Sequence, residues 1–310
     1  MCKKWKARRH NNRLAKQFQK TIEDGNFNSV DKALDAIDVN WELERVFDFQ
    51  NDFKILGEDT GNWGVAEPNT LAYYTPEAIK ISGIGNQQVL ITCSKLEKPV
   101  IRKGWSGEKV ARQYTAGSLH SKQPVNCNKR YLAVITTSAV ALGAWDAFWF
   151  MYTGIQIPKG KGVLYSEVDW ERMVDESSKL FKHTFSTHRG WKKVDENGKD
   201  IDGRKMFSHS VNVGKRIIRV AIDINFDAEK KLVQAHINNH LVYETLLGFP
   251  ELPMTMIVNT RPSTFDGTIP STKKLKNVEG EAYEVEESGV IDQFLPYQFR
   301  IESLSQYTKA

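Results

Sequence analysis

Cysteine is scarce in this chain: Cys2, Cys93 and Cys127 are three, an odd number, without metal-like spacing. This excludes a disulfide scaffold and a cysteine zinc site, and leaves free thiols from a reducing compartment as the expectation. No run of about 18 apolar residues occurs, so no helical membrane span is expected. The N-terminus has no apolar stretch of the kind a secretory signal carries. Also absent are a Gly-x-Ser-x-Gly elbow, a Walker phosphate loop, a dinucleotide glycine pattern and an internal repeat of fixed period. His183 and His188 stand five apart with no matching Cys or acid, so a structural zinc is not expected either.

Acidic residues are missing from the first twenty positions, which hold eight Lys or Arg. The net charge of +5 therefore belongs to that tail, and the remaining 290 residues carry a net −3. No nucleic-acid partner is expected for the main body. The tail has two readings: a solvated or partly helical extension, or an element that docks to an acidic partner. Just after it, Val30, Ala33, Leu34 and Ile37 fall on one helical face, with Ser29 as N-cap and Asp31 in the first turn. Residues 1–40 are expected to form a basic extension with one short helix, appended to a main domain over residues 41–310.

What is present from Trp41 onward is alternation of period two. Ile218, Val220, Ile222, Ile224 and Phe226 alternate with Arg219, Ala221, Asp223 and Asn225, the pattern of a half-buried strand. LVQAHIN, YLAVITT, MTMIVNT and PYQFRIESL behave similarly, separated by Gly, Asn, Asp and Pro. With 40% hydrophobic residues the chain can bury a full core, and many short strands with few helical stretches predict an all-β sandwich or barrel. Two polar stretches, Gly190 to Arg204 and Pro262 to Gln293, read as long loops, binding or mobile. The second is long enough to cover a cleft.

The segment LYSEVDWERMV, Leu164 to Val174, puts Glu167, Asp169 and Glu171 at every second position. In a strand they share one face, while Val168 and Trp170 share the other. Neighbouring like charges disfavour one another's ionisation, so such a row is either a solvated surface or a site where that perturbation is used. Retaining glycoside hydrolysis is a chemistry that uses it. It needs an ionised nucleophile and a protonated acid about 5 Å apart. Positions four apart in a strand are about 13 Å apart along the backbone, a gap two long Glu side chains can largely close. Asp169 between them would hold a proton or hydrogen bond and keep their titrations apart.

Glu-x-Asp-x-Glu on a strand resembles the signature of glycoside hydrolase family sixteen, the clan of laminarinases, lichenases, agarases and carrageenases. Further segments are similar to the family in order. Arg112 to Lys122 resembles its Tyr-Thr-Ser-Gly strand, and Lys129 to Ile135 its Tyr-Gly-x-Phe-Glu-Ala-Arg-Ile strand. Gly143-Ala-Trp-Asp-Ala-Phe-Trp149 resembles Gly-x-Trp-Pro-Ala-Phe-Trp, with Asp146 in the proline's place. Phe185 to Gly190, His236 to Tyr243, Met254 to Thr260 and the final PYQFRIESLSQY complete a likeness over about residues 41–307.

The resemblance implies a two-sheet antiparallel jelly-roll sandwich of concanavalin-A type, acting as an endo-glycosidase on a β-glucan or galactan. It implies Glu167 as nucleophile, Asp169 as assisting carboxylate and Glu171 as general acid and base. Trp145 and Trp149 would lie near the cleft, as sugar platforms or as ordinary core. Tyr165 would stack on a sugar, and His188 would neighbour the acids or be structural. A sulfated substrate would call for basic cleft residues, for which Arg112, His188 and Arg189 are candidates, and Asp146 would add a charge near the cleft. No cofactor or site metal is required; a structural calcium on the outer face would fit the family. The departures are the mixed lichenase-like and laminarinase-like segments and an aromatic-free Arg216–Ile224. The alternative is a non-catalytic carbohydrate-binding or structural jelly roll. The missing export signal and the basic tail have two readings: a phage-particle enzyme released by lysis, its tail docked to a virion component, or a cellular protein that uses another route and carries an ordinary extension.

Overall fold

The computed structural model describes residues 2–37, 40–57, 72–103, 109–138, 143–156, 163–174, 181–194, 200–202, 205–214, 218–250, 252–262, 272–276, 282–286 and 295–310. Two sheets stack face to face. The back sheet runs through His240–Thr245, Leu232–Ile237, Arg219–Asp227, Arg130–Thr137, Tyr297–Lys309, Gln88–Cys93 and Ile79–Ser82, with Trp41–Val46 also on Tyr297–Lys309. The front sheet runs through Asp200–Asp202, Phe181–Val194, Val163–Val174, Ala144–Gln156, Thr255–Pro262, Lys109–Ser121, Ala282–Glu286 and Thr272–Lys276. Lys205–Val213 also pairs with Phe181–Val194, while Phe53–Leu56, Ala72–Tyr74 and Lys95–Lys103 pair with Lys109–Ser121. Pairing is antiparallel except where Ala72–Tyr74 and Glu284 run parallel to Lys109–Ser121. The expected all-β sandwich is present.

Its core is one cluster filled from both inner faces. Phe148, Phe150, Val168, Trp170, Phe185 and Val258 come from the front sheet, and Ile91, Ile135, Ile222, Ile224, Phe299 and Ile301 from the back. The sheets come close at Gly117, where an added Cβ would lie 2.4 Å from Ile91 Cγ2 and 2.8 Å from Ile79 Cγ1.

Arg219–Asp227 was expected to be half-buried, yet Val220 through Ile224 are buried on both faces. On the outer face, helix α2 (Val30–Asp35) covers Ala221, its Val30 packing on Ala221, Leu132 and Val134, while Asp223 is enclosed by its ion-pair partners Arg130 and His236. As expected, Ser29 caps α2, its Oγ accepting from Lys32 N at 3.2 Å.

The larger difference is helix α1 (Cys2–Glu23), 22 residues long, where the sequence suggested a tail. Ala7, Asn11, Leu14, Ala15, Phe18 and Ile22 recur at helical spacing, and this stripe packs into the sandwich instead of hanging from it. α1 contacts both His240–Thr245 and Lys205–Val213, the strands at one open side of the two sheets. Asn11 completes the edge of the back sheet. Its Nδ2 donates to Glu244 O at 2.7 Å and its Oδ1 accepts from Glu244 N at 2.9 Å, as a neighbouring strand would.

The polar stretch read as a loop from Gly190 to Arg204 holds the end of Phe181–Val194 and its partner Asp200–Asp202, with Lys192 opposite Asp202. Of the stretch from Pro262 to Gln293, Thr272–Lys276 and Ala282–Glu286 form an antiparallel pair, and its remaining residues beyond Pro262 lie outside the described residues. Cys93 and Cys127 are free thiols; burial pushes Cys127 up to about 12, so it stays protonated.

Candidate active site

Val163–Val174 lies between Ala144–Gln156 and Phe181–Val194 and pairs with both along its length. Strand parity sorts its residues as the alternation predicts. Val168, Trp170 and Arg172 are buried inward; Glu167 and Glu171 are part-exposed on the outward face, with Asp169 between them only 3% exposed. Residues directly opposite share a face, so the acids' neighbours follow from the pairing. Glu167 faces Met151 and His188, Asp169 faces Trp149 and Ser186, and Glu171 faces Ala147 and Thr184.

His188 reaches diagonally across its strand. Its Nε2 is 3.2 Å from Asp169 Oδ2 and 4.0 Å from Glu167 Oε1. An imidazolium there would offset the repulsion within the row; a neutral ring would still donate a hydrogen bond to Asp169. Glu167, Asp169 and His188 each offer a ligand atom, all within 4.8 Å of one another, so these three are also the residues that could grip a cation. Among the described residues no comparable His, Cys, Asp and Glu group lies on the back sheet.

Trp149 stands beside Asp169, held by a hydrogen bond from its Nε1 to Asn259 Oδ1 at 2.9 Å. Asn259, on Thr255–Pro262 opposite Ala147, belongs to this face and was missed by the sequence reading. Its signal was its parity within MTMIVNT. His120 also shares this face, opposite Ile257, and burial pushes it down to about 4, so it is neutral near pH 7. Trp145 is only 8% exposed, with the Arg261 guanidinium carbon 4.4 Å from its ring centroid. Arg112 is 1% exposed on Lys109–Ser121, the third strand from the acids, and stands well beyond Ser118, the residue in register with Glu171, so its backbone is offset by about 14 Å across the sheet and about 20 Å along it. The structure does not bring it to them. The backbone of Tyr165 pairs with Thr153 and Gly190, two residues before Glu167; its side chain, like that of Arg189, lies outside the described residues.

Asp146 corrects an expectation. It adds no charge to the cleft, because it has the parity of Phe148 and Phe150 and points between the sheets. There, opposite Arg172, its Oδ2 accepts from Arg172 Nη2 at 2.8 Å and Nε at 3.1 Å. Its Oδ1 accepts from Thr260 Oγ1 at 2.7 Å and its Oδ2 from Tyr297 Oη at 2.6 Å. Burial and the Asp146 carboxylate hold the Tyr297 phenol well above its ordinary value. Beside this cluster, Trp170 Nε1 donates to His183 Nδ1 at 3.1 Å. Burial, helped by Arg172, keeps His183 well below the usual histidine range. A buried Asp–Arg pair thus lies directly under the acid row.

No family model matches the chain, and no curated protein matches it. Solved structures do. The kappa-carrageenase from Pseudoalteromonas carrageenovora, in complex with an oligotetrasaccharide of kappa-carrageenan, superposes with a TM-score of 0.60 at 16% identity, covering 87% of this chain and 96% of that one. Porphyranase B from Zobellia galactanivorans gives 0.57 at 11%, covering 86% and 92%. A Bacteroides ovatus mixed-linkage glucan protein of glycoside hydrolase family sixteen, with a bound product, gives 0.53 at 12%, covering 86% and 98%. The fold is the family-sixteen jelly roll. The likeness is one of architecture: the neighbours are polysaccharide-degrading enzymes, and they share the two stacked sheets that set the acid row on an outward face here.

Proposed function

We propose that the protein is a retaining endo-glycosidase that hydrolyses internal β-glycosidic bonds of a glucan or galactan. The observation that carries this is the row itself: Glu167, Asp169 and Glu171 share the outward face of one strand, with His188 3.2 Å from the central carboxylate. Glu167 attacks the anomeric carbon as Glu171 gives its proton to the departing glycosidic oxygen, forming a glycosyl ester and freeing one chain end. Glu171, now ionised, takes a proton from water, whose oxygen displaces Glu167 and restores both carboxyls. Two inversions leave the β configuration retained. Asp169 and His188 form a polar bridge that orients Glu167 and shields it from its neighbour's charge. Trp149, fixed by Asn259, offers a ring edge or face to the sugar beside Asp169.

The test is reducing-end release from laminarin, mixed-linkage glucan, agarose, kappa-carrageenan and porphyran by the wild type, Glu167→Gln and Glu171→Gln. Activity on a polysaccharide that both substitutions abolish, with a β-anomer as the first product by NMR, supports the reading. No turnover with glycan binding intact in all three proteins replaces it with the binding or structural sandwich, as a particle component would be.

A further inference from the structure

α1 uses its apolar stripe to seal the sandwich, which leaves its other face to solvent. That face is strongly cationic: Lys6, Arg8, Arg9, Arg13, Lys16 and Lys20 are exposed, and no acid occurs in the helix before Glu23. Among the described residues no carboxylate forms an ion pair with these six. Basic residue His10 behaves differently, placing Nε2 3.2 Å from Glu244 Oε1 on the packed side. Because the chain beyond the first twenty residues is net negative, the helix is a local positive field and no part of a generally basic surface. Trp5 is 60% exposed within this face, with the Arg9 guanidinium carbon 5.5 Å from its ring centroid. An aromatic ring among cations suits a ligand that has both sugar rings and anionic groups.

The place of the helix adds a second observation. From the acid strand the front sheet continues through Phe181–Val194 to Lys205–Val213, and α1 packs on the latter. Along that path the outward face is lined with hydroxyls: Ser186 is opposite Asp169 and Ser208, and Thr184 is opposite Glu171 and Ser210. Thr184 Oγ1 and Ser210 Oγ are 2.9 Å apart. Glu167 and Glu171 are spaced along their strand and must flank the scissile bond, so a bound chain has to cross the strands. In one direction it passes over these hydroxyls and leaves the sheet beside α1. At about 4.8 Å per strand and about 10 Å for a helix, the cations lie about 20 Å from the acids.

We infer that the outer face of α1 is a secondary binding surface for the polysaccharide emerging from the cleft, and that the substrate class is therefore an anionic glycan bearing sulfate or carboxylate groups. This rests on the glycosidase reading for the direction of the chain. A neutral glycan would gain little from six exposed cations, whereas a polyanion releases its condensed counterions on them, which makes binding steeply salt-dependent. Nucleic acid would satisfy the charge, but it would make no use of the continuity with the acid face.

The experiment is affinity electrophoresis of the full chain carrying Glu167→Gln, so that nothing is hydrolysed, through gels containing kappa-carrageenan, porphyran, polygalacturonate or laminarin. It is repeated with Arg9→Glu, Arg13→Glu and Lys16→Glu added, and with the milder Arg9→Gln, Arg13→Gln and Lys16→Gln set, each checked for an unchanged thermal midpoint. We expect retardation by the anionic glycans that weakens as salt rises from 50 to 300 mM, at least a tenfold loss of affinity in the Glu set, and a smaller loss in the Gln set. Equal retardation in all proteins overturns the inference, as does tighter α1-dependent binding of duplex DNA or of anionic vesicles than of the anionic glycans. Hydrolysis of laminarin by the wild type, without α1-dependent retention of any anionic glycan, sinks the inference and leaves the enzyme standing. α1-dependent retention without turnover of any polysaccharide sinks the enzyme reading and leaves the surface standing.

Discussion

His188 Nε2 lies 3.2 Å from Asp169 Oδ2, although the backbone position opposite His188 belongs to Glu167. The ring therefore links two members of the acid row, and its loss should be felt by both. His188→Ala is expected to lower kcat/KM about 10²-fold, the scale of a positioned polar partner. His188→Asn, which can donate a hydrogen bond but carries no charge, should recover part of that loss. Steady-state kinetics on the polysaccharide identified by the panel checks this; equal activity in all three proteins would leave His188 without a role in turnover.

Asp146 and Arg172 test how a buried charge pair is tolerated. Asp146→Ala leaves Arg172 buried without its carboxylate and should cost about 3–5 kcal/mol in urea unfolding. Replacing both, as Asp146→Leu with Arg172→Met, should cost clearly less than the sum of the single changes, because no unpartnered charge remains. Additive losses would mean the two residues act separately.

Gly117→Ala should destabilise the sandwich by about 1–3 kcal/mol, since the new methyl meets Ile91 and Ile79 across the core. Adding Ile91→Val, which removes bulk at the contact, should recover some of it. A thermal midpoint unchanged by Gly117→Ala would show that the sheets separate freely there.

Stability should fall as pH drops from 7 to 4. Burial pushes His120 down to about 4 in the folded chain and holds His183 well below the usual histidine range, against about 6.5 unfolded. Below the unfolded value the unfolded state takes up protons that the folded state refuses, so unfolding gains ground as acid is added. For His120 the loss is on the order of 3 kcal/mol, complete near its folded value. His120→Gln should flatten the pH dependence of urea unfolding over this window. A curve as steep as the wild type's would assign the effect elsewhere.

Asn11→Ala removes both hydrogen bonds that close the edge of His240–Thr245, leaving a part-buried peptide unit unsatisfied at a cost of about 1–2 kcal/mol. Hydrogen exchange at the Glu244 amide should accelerate accordingly. If it does not, the helix backbone alone protects that edge.

Much of this was open to a reader of the sequence, because strands repeat every two residues. The acids, Trp149 and His188 each follow from parity within a short segment, and the structure gathers them on one face. Asp146 obeys the same parity, inward with Phe148 and Phe150; treating it as a substituted proline obscured that, and its partner Arg172 sat in plain view at an inward position. α1 was read as no more than a partly helical extension for a different reason: eight cations in twenty residues drew attention from the Asn11, Leu14, Phe18 and Ile22 spacing that packs it into the sandwich. Arg112 could not have been placed, since the burial of a strand residue this far from the acids depends on which strands flank it. The hydroxyl-lined path to Ser208 and Ser210 was equally hidden, because it is formed by neighbours distant in the chain.

The buried pair beneath the acids has one more consequence. Arg172 directly follows Glu171, and Asp146 directly precedes Ala147, so the salt link joins the two strands one step from the acid row. A slip of one residue between them would part the charges in an apolar interior and turn Glu167, Asp169 and Glu171 toward the core. The Asp–Arg link thus acts as an indexing pin: its effect is to make every other alignment of the two strands costly, so that the acids have one way to face.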